Sequence, residues 1–139
     1  IAAETIAGKI TAKDFKAIPA VVFTDPEIAG VGLSEREAKE QGREVRIGKF
    51  PFSALGKATA TNATEGFVKV IADAKEGFIL GVHMVGHEVS SLISEAALAI
   101  EMGAVAEDIA LTIHPHPTLS EALMEACEAI YGKAIHTLN

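Results

Sequence analysis

Two apolar, β-branched runs, Gly66–Ala72 and Phe78–Val85, stand only five residues apart, and no other feature limits the possible folds of this chain as much. The intervening Asp73-Ala74-Lys75-Glu76-Gly77 is polar and ends in glycine, which is a hairpin pattern. Neither run alternates apolar with polar residues, so the hairpin is expected to be a central antiparallel pair covered on both faces, with helices as the cover. Two amphipathic stretches can supply it. Val89, Leu92, Ile93, Ala96, Ala97 and Ile100 recur at helical spacing before Gly103, and Leu119, Ala122, Leu123, Ala126, Ala129 and Ile130 do so between Thr118 and Gly132.

The remaining segments extend this core. Ala20–Thr24 and Ile28–Leu33 read as strands separated by Asp25-Pro26, and Val45–Phe52 as a third strand with a break near Gly48 and Pro51. Ser34 followed three residues later by Glu37 is a capping box opening a helix that ends at Gly42. Val105–Leu111 is a short helix, while Ser53–Ala63 is small, polar and ambiguous. The expected fold is α+β, an antiparallel sheet of four or five strands with helices packed on it. At 139 residues and 49% hydrophobic, the chain can bury one core. Ile1–Gly8 reads as one or two helical turns, too short to stand alone, and Thr11–Ala17 as a linker, with the folded body from Pro19 to about Thr137. Ile1 is no natural initiator, which suggests a chain cut from something longer whose upstream part packs against the first helical turns.

Composition excludes several function classes. Nineteen acidic residues against twelve basic give a net charge of −7, unsuited to a nucleic-acid backbone. No run of about 20 apolar residues spans a membrane. The single cysteine, Cys127, allows no internal disulfide, fits a reducing compartment, and lies among small apolar residues as a buried, inert thiol would. With neither a cysteine pair nor a glycine-rich phosphate loop, any redox or nucleotide chemistry must be shared with another part or partner.

Chemistry concentrates in Ile113-His114-Pro115-His116-Pro117-Thr118-Leu119-Ser120-Glu121. Each proline fixes its own φ and pushes the preceding histidine to an extended conformation, so His114 and His116 should face opposite sides and at most one needs to be reactive. Glu121 has two available roles. With Thr118 as N-cap it completes a capping box, which alone accounts for it. Five residues after His116, it can also hydrogen-bond the imidazole, fix its tautomer and make an acid/base pair. Metal binding is less well supported. His83 and His87 fall in a strand and the turn after it, where their spacing does not bring them together, and no other cluster completes a site. His83 reads as a satisfied core or interface histidine, and His136 as a tail residue.

His116-Pro117-Thr118-Leu119-Ser120-Glu121 resembles the carboxy-terminal signature of the dihydrolipoamide dehydrogenase family of flavoprotein disulfide reductases. Ile18–Glu27, Val31-Gly32, Phe50-Pro51-Phe52, Gly81–Gly86 and Leu98–Leu111 resemble further landmarks of that family's interface domain. The resemblance implies that residues 1–17 are the remnant of an FAD-domain helix plus linker and residues 18–139 a dimerisation domain. It implies that FAD and NAD are bound by portions absent here, which also carry the redox cysteine pair. His116 would be the acid/base for dihydrolipoamide oxidation in the partner subunit's site, Glu121 would orient it, and His116-Pro117 would approach the partner's flavin, often through a cis peptide. The implied partners are a second copy, the lipoyl domain, and the basic peripheral subunit-binding domain of a 2-oxo acid dehydrogenase acyltransferase. The implied location is the bacterial cytoplasm or the mitochondrial matrix. Alternatives are the same domain of another pyridine nucleotide-disulfide reductase, such as glutathione reductase, or a purely dimerising and docking module. On its own the chain is expected to be catalytically silent.

Overall fold

Asp73 turns the chain between the two apolar runs. Its Oδ1 accepts the N–H groups of Lys75 at 2.9 Å and Glu76 at 2.8 Å, and Gly77 closes the turn at φ +81°, where a side chain would be strained. The computed structural model describes residues 1–12 and 14–137. Lys13 of the expected linker and positions 138–139 at the end of the expected domain lie outside the described residues. The flanking strands, β4 (Phe67–Asp73) and β5 (Ile79–Gly86), sit inside a five-stranded antiparallel sheet with β1 (Ala20–Val22), β2 (Glu27–Gly32) and β3 (Val45–Pro51), in the order β1-β2-β5-β4-β3. The α+β architecture is as expected.

The helices are α1 (Ala2–Ile6), α2 (Glu35–Glu40), α3 (Gly56–Ala60), α4 (Val89–Met102), α5 (Ala106–Leu111) and α6 (Glu121–Ala129). On one face of the sheet Val70 pairs with Val82 and Val68 with Met84, all fully buried under α4, which packs on β2 and β5, and α6, which packs on β3 and β4. Cover on both faces was expected, and only this face has it in full. The other face carries Phe67, Lys69 and His83, and the short α2 reaches it through Glu35: Lys49 Nζ stands 4.1 Å from the centre of the Phe67 ring, Lys69 Nζ lies 2.6 Å from Glu35 Oε2, and His83 lies over Gly30 with Nε2 3.1 Å from the Leu33 carbonyl. Polar side chains interrupt the run at Lys69 and His83, while Ile71, on the same side of β4 as Lys69, is fully buried.

Two further local expectations are corrected. β3 runs through Gly48 without a break, pairing it with Val70. The glycine answers to packing: a Cβ there would lie 1.9 Å from the Ala126 carbonyl of α6. The ambiguous stretch forms a 3-10 turn at Phe52–Ala54 and then α3. α1 buries no residue, and beyond it the N–H groups of Lys16 and Ala17 donate to Glu101 Oε2 at 3.0 Å. Among the described residues no helix is long and apolar enough to cross a membrane.

The Ser34 capping box forms as expected, with Ser34 N–H donating to Glu37 Oε2 at 2.8 Å and Glu37 N–H to Ser34 Oγ at 3.2 Å. Next to it, hydrogen bonds from Lys39 and then Lys69 hold the Glu35 carboxyl at about 2, against an ordinary 4.5. A carboxyl depressed in the folded state contributes stability above its unfolded pKa and loses it as pH falls through the folded one. Glu35→Gln should therefore flatten the loss of stability between pH 4.5 and pH 2 relative to the parent, read as the denaturant midpoint against pH. An unchanged slope would mean that the two lysines contribute nothing there.

Candidate functional site

The proline-stiffened loop after α5 sends its two histidines to opposite environments. His114 is 5% exposed, with Nδ1 2.8 Å from the Thr112 carbonyl and Nε2 2.9 Å from Glu95 Oε1 on α4. It anchors the loop to the helix layer. His116 is 72% exposed and places Nδ1 2.8 Å from Glu121 Oε1. The His116-Pro117 peptide is cis.

The expected helix start at Thr118 is wrong by three residues: α6 begins at Glu121 with Ser120 as N-cap. The Thr118 hydroxyl turns away from the helix end, donating to the Pro115 carbonyl at 2.7 Å and pairing with Ser120 Oγ at 2.9 Å. Glu121 still reaches back, Oε2 accepting the Thr118 N–H at 2.7 Å. The two roles left open by the sequence are filled by one carboxylate, Oε2 holding the backbone and Oε1 the imidazole. Burial pushes the Glu121 carboxyl up, but the Thr118 N–H, the His116 hydrogen bond and the charges of His116 and His136 outweigh it, and the group sits below its ordinary value. An ionised carboxylate only accepts, so a neutral His116 must carry its proton on Nδ1 and leave the Nε2 lone pair free. Among the described residues Nε2 has no hydrogen-bond partner. Such an imidazole can take a proton from an incoming group.

His116 and Glu121 line a cavity of about 400 Å³ that Glu125 and His136 also line. His136 is therefore no mere tail residue. Its Nδ1 contacts Glu125 Oε1, and Glu125 Oε2 also accepts the Ile135 N–H at 3.0 Å. Nothing in the local pattern around Glu125 signals this, since the partner is eleven residues away beyond the helix end. His83 and His87 stay apart, and among the described residues no group of His, Cys, Asp and Glu is arranged to hold a metal ion. Cys127 is buried, and burial, then the charges of Glu95 and Glu128, push its thiol up to about 12. It has no thiolate with which to react.

On the helix side the loop approaches an apolar surface: Leu98, Met102, Leu111 and Ile113 are all exposed, Ile113 at 94%. The pyridine nucleotide-disulphide oxidoreductase dimerisation domain model matches residues 18–127. The chain belongs to that family. This dimerisation domain is 57% identical over its full length to a dihydrolipoyl dehydrogenase of Halobacterium salinarum and 55% identical to one of Thermus scotoductus. It spans 29% and 30% of the length of those two relatives. Its fold is similar to that of an HOCl-induced flavoprotein disulfide reductase from Escherichia coli, with a TM-score of 0.81 at 27% identity over 88% of this chain and 29% of that one.

Proposed function

We propose that residues 18–139 are the dimerisation domain of a dihydrolipoyl dehydrogenase and that His116, oriented by Glu121, is the acid/base of a disulfide site completed by the partner subunit. Residues 1–17 then belong to the end of the FAD domain and its linker. The observation that carries the reading is the exposed Nε2 of an imidazole whose other nitrogen is held by a partly buried carboxylate. The exposed apolar residues beside the loop suit a second copy, and burying them there would bring His116 to the seam.

The chemistry follows from that geometry. Nε2 takes the proton of a dihydrolipoamide thiol, and the thiolate attacks one sulfur of the partner's disulfide, forming a mixed disulfide and expelling the other sulfur as thiolate. The second thiol of the substrate passes its proton to the expelled enzyme thiolate and displaces the other enzyme sulfur, which closes the lipoamide ring and leaves one enzyme thiol, one thiolate and a protonated His116. Two electrons have then moved to the enzyme dithiol, and FAD and NAD, bound by other portions of the protein, would supply their onward path. Within this chain the exposed His116-Pro117 edge is what could approach a flavin, while no glycine-rich loop is available to hold a dinucleotide phosphate. The net charge of −7 supports a further partner, the small basic subunit-binding domain of an acyltransferase, and the single buried thiol supports a cytoplasmic setting.

The test compares NADH formation from dihydrolipoamide and NAD by the full-length protein and by this chain alone. The full-length protein should turn over and the isolated domain should be silent. Turnover by the isolated domain, or a full-length protein that reduces glutathione disulfide and ignores dihydrolipoamide, would overturn the reading.

A further inference from the structure

The cavity that holds the His116–Glu121 pair holds a second histidine–carboxylate pair of unequal exposure. Glu125 is buried, while His136 is 55% exposed and lines the same cavity. Glu125 lies one helical turn beyond Glu121, so both carboxylates look out from the same face of α6. The wall supplied by Ala54, Leu55, Gly56, Thr59 and Ala60 brings no charged side chain to the cavity. What faces His116 electrostatically is thus Glu121, Glu125 and His136, with Glu128 and Lys133 behind them. Burial and the charge of Glu125 raise the Glu128 carboxyl, with His136 and Lys133 opposing.

We infer that His136 is a positioning residue of the acid/base site: paired with Glu125, it neutralises a buried carboxylate that would otherwise hold the proton on His116, and it fixes the chain after Gly132 as the cavity wall. A carboxylate sharing this cavity favours the charged ring, an effect that solvent reaching the exposed His116 reduces. A base that keeps its proton cannot accept one from the substrate. The hydrogen bond that His136 Nδ1 makes to Glu125 Oε1 engages that carboxylate, so the pair weighs less on His116 than the bare carboxylate would. The charge of His136 also reaches Glu121 and helps to keep it ionised.

This inference rests on the reading of His116 as the base, and the experiment separates the two. In the full-length enzyme, the acidic limb of kcat/KM for dihydrolipoamide reports the free base. His136→Gln should move that limb to higher pH by about half a unit to one unit, the scale of one uncompensated charge sharing a cavity. The double variant Glu125→Gln with His136→Gln removes both ionisable groups and should return the limb to its original position. A limb that does not move in His136→Gln, or one that stays displaced in the double variant, overturns the inference, because loss of a purely structural contact lowers rate or stability without this reversal. His116→Gln in the same assay guards the underlying reading: strong loss there with an unmoved His136→Gln limb sinks only the role of His136, while near-full activity sinks both.

Discussion

His116→Gln in the full-length protein is expected to lower kcat for dihydrolipoamide oxidation by about a hundred- to ten-thousand-fold, the usual worth of a positioned base. The flavin content and the dimer should survive, because a side chain 72% exposed contributes little to the core. Glu121→Gln should fall nearly as far for a different reason. The amide can still accept the Thr118 N–H, but the group left facing Nδ1 is then an NH2 donor, so the ring must turn its lone pair to Nδ1 and place its proton on Nε2, where the substrate thiol needs an acceptor. NADH formation under saturating substrates measures both. If His116→Gln keeps near-parental turnover, the imidazole is not the base; if only Glu121→Gln keeps it, the carboxylate caps the backbone and does no more.

The sequence made local features legible and left distant pairings hidden. Asp73 to Gly77, the Ser34 capping box and the stop at Gly103 each encode their structure within a few residues, and each forms where expected. The opposite facing of His114 and His116 was readable too, since proline restricts the residue before it regardless of context. What the loop would meet was not. Glu95 lies nineteen residues before His114 and His136 eleven after Glu125, separations set by how α4 and the terminal segment dock. The late start of α6 was not legible either: Thr118 is a good cap by type, yet its hydroxyl donates to the Pro115 carbonyl three residues back and the helix opens only at Glu121. Gly48 misled most directly, because a glycine in a strand signals a break or a close approach with equal force.

That close approach gives the second large effect. A methyl group on Gly48 would lie 1.9 Å from the Ala126 carbonyl oxygen and 2.7 Å from Ile130 Cγ1. The Ile130 side chain can rotate away, but a helix carbonyl cannot, so in Gly48→Ala either α6 lifts from the sheet or β3 buckles beneath it. Overpacking of this kind costs about 1–3 kcal/mol, and backbone contact puts this site at the upper end. The melting temperature of the full-length protein should fall by about 3 °C. Because α6 carries Glu121 and Glu125 on one face, the displacement should also lengthen the His116 contact and reduce turnover, although Gly48 touches neither residue. Gly56→Ala is the contrast: its added Cβ meets nothing within 4 Å and its φ is ordinary, so stability should hold or rise by about half a kcal/mol. Equal melting temperatures for the two variants would mean that the sheet and α6 give way freely at this contact, and that the placement of the Glu121 carboxylate does not depend on the glycine beneath it.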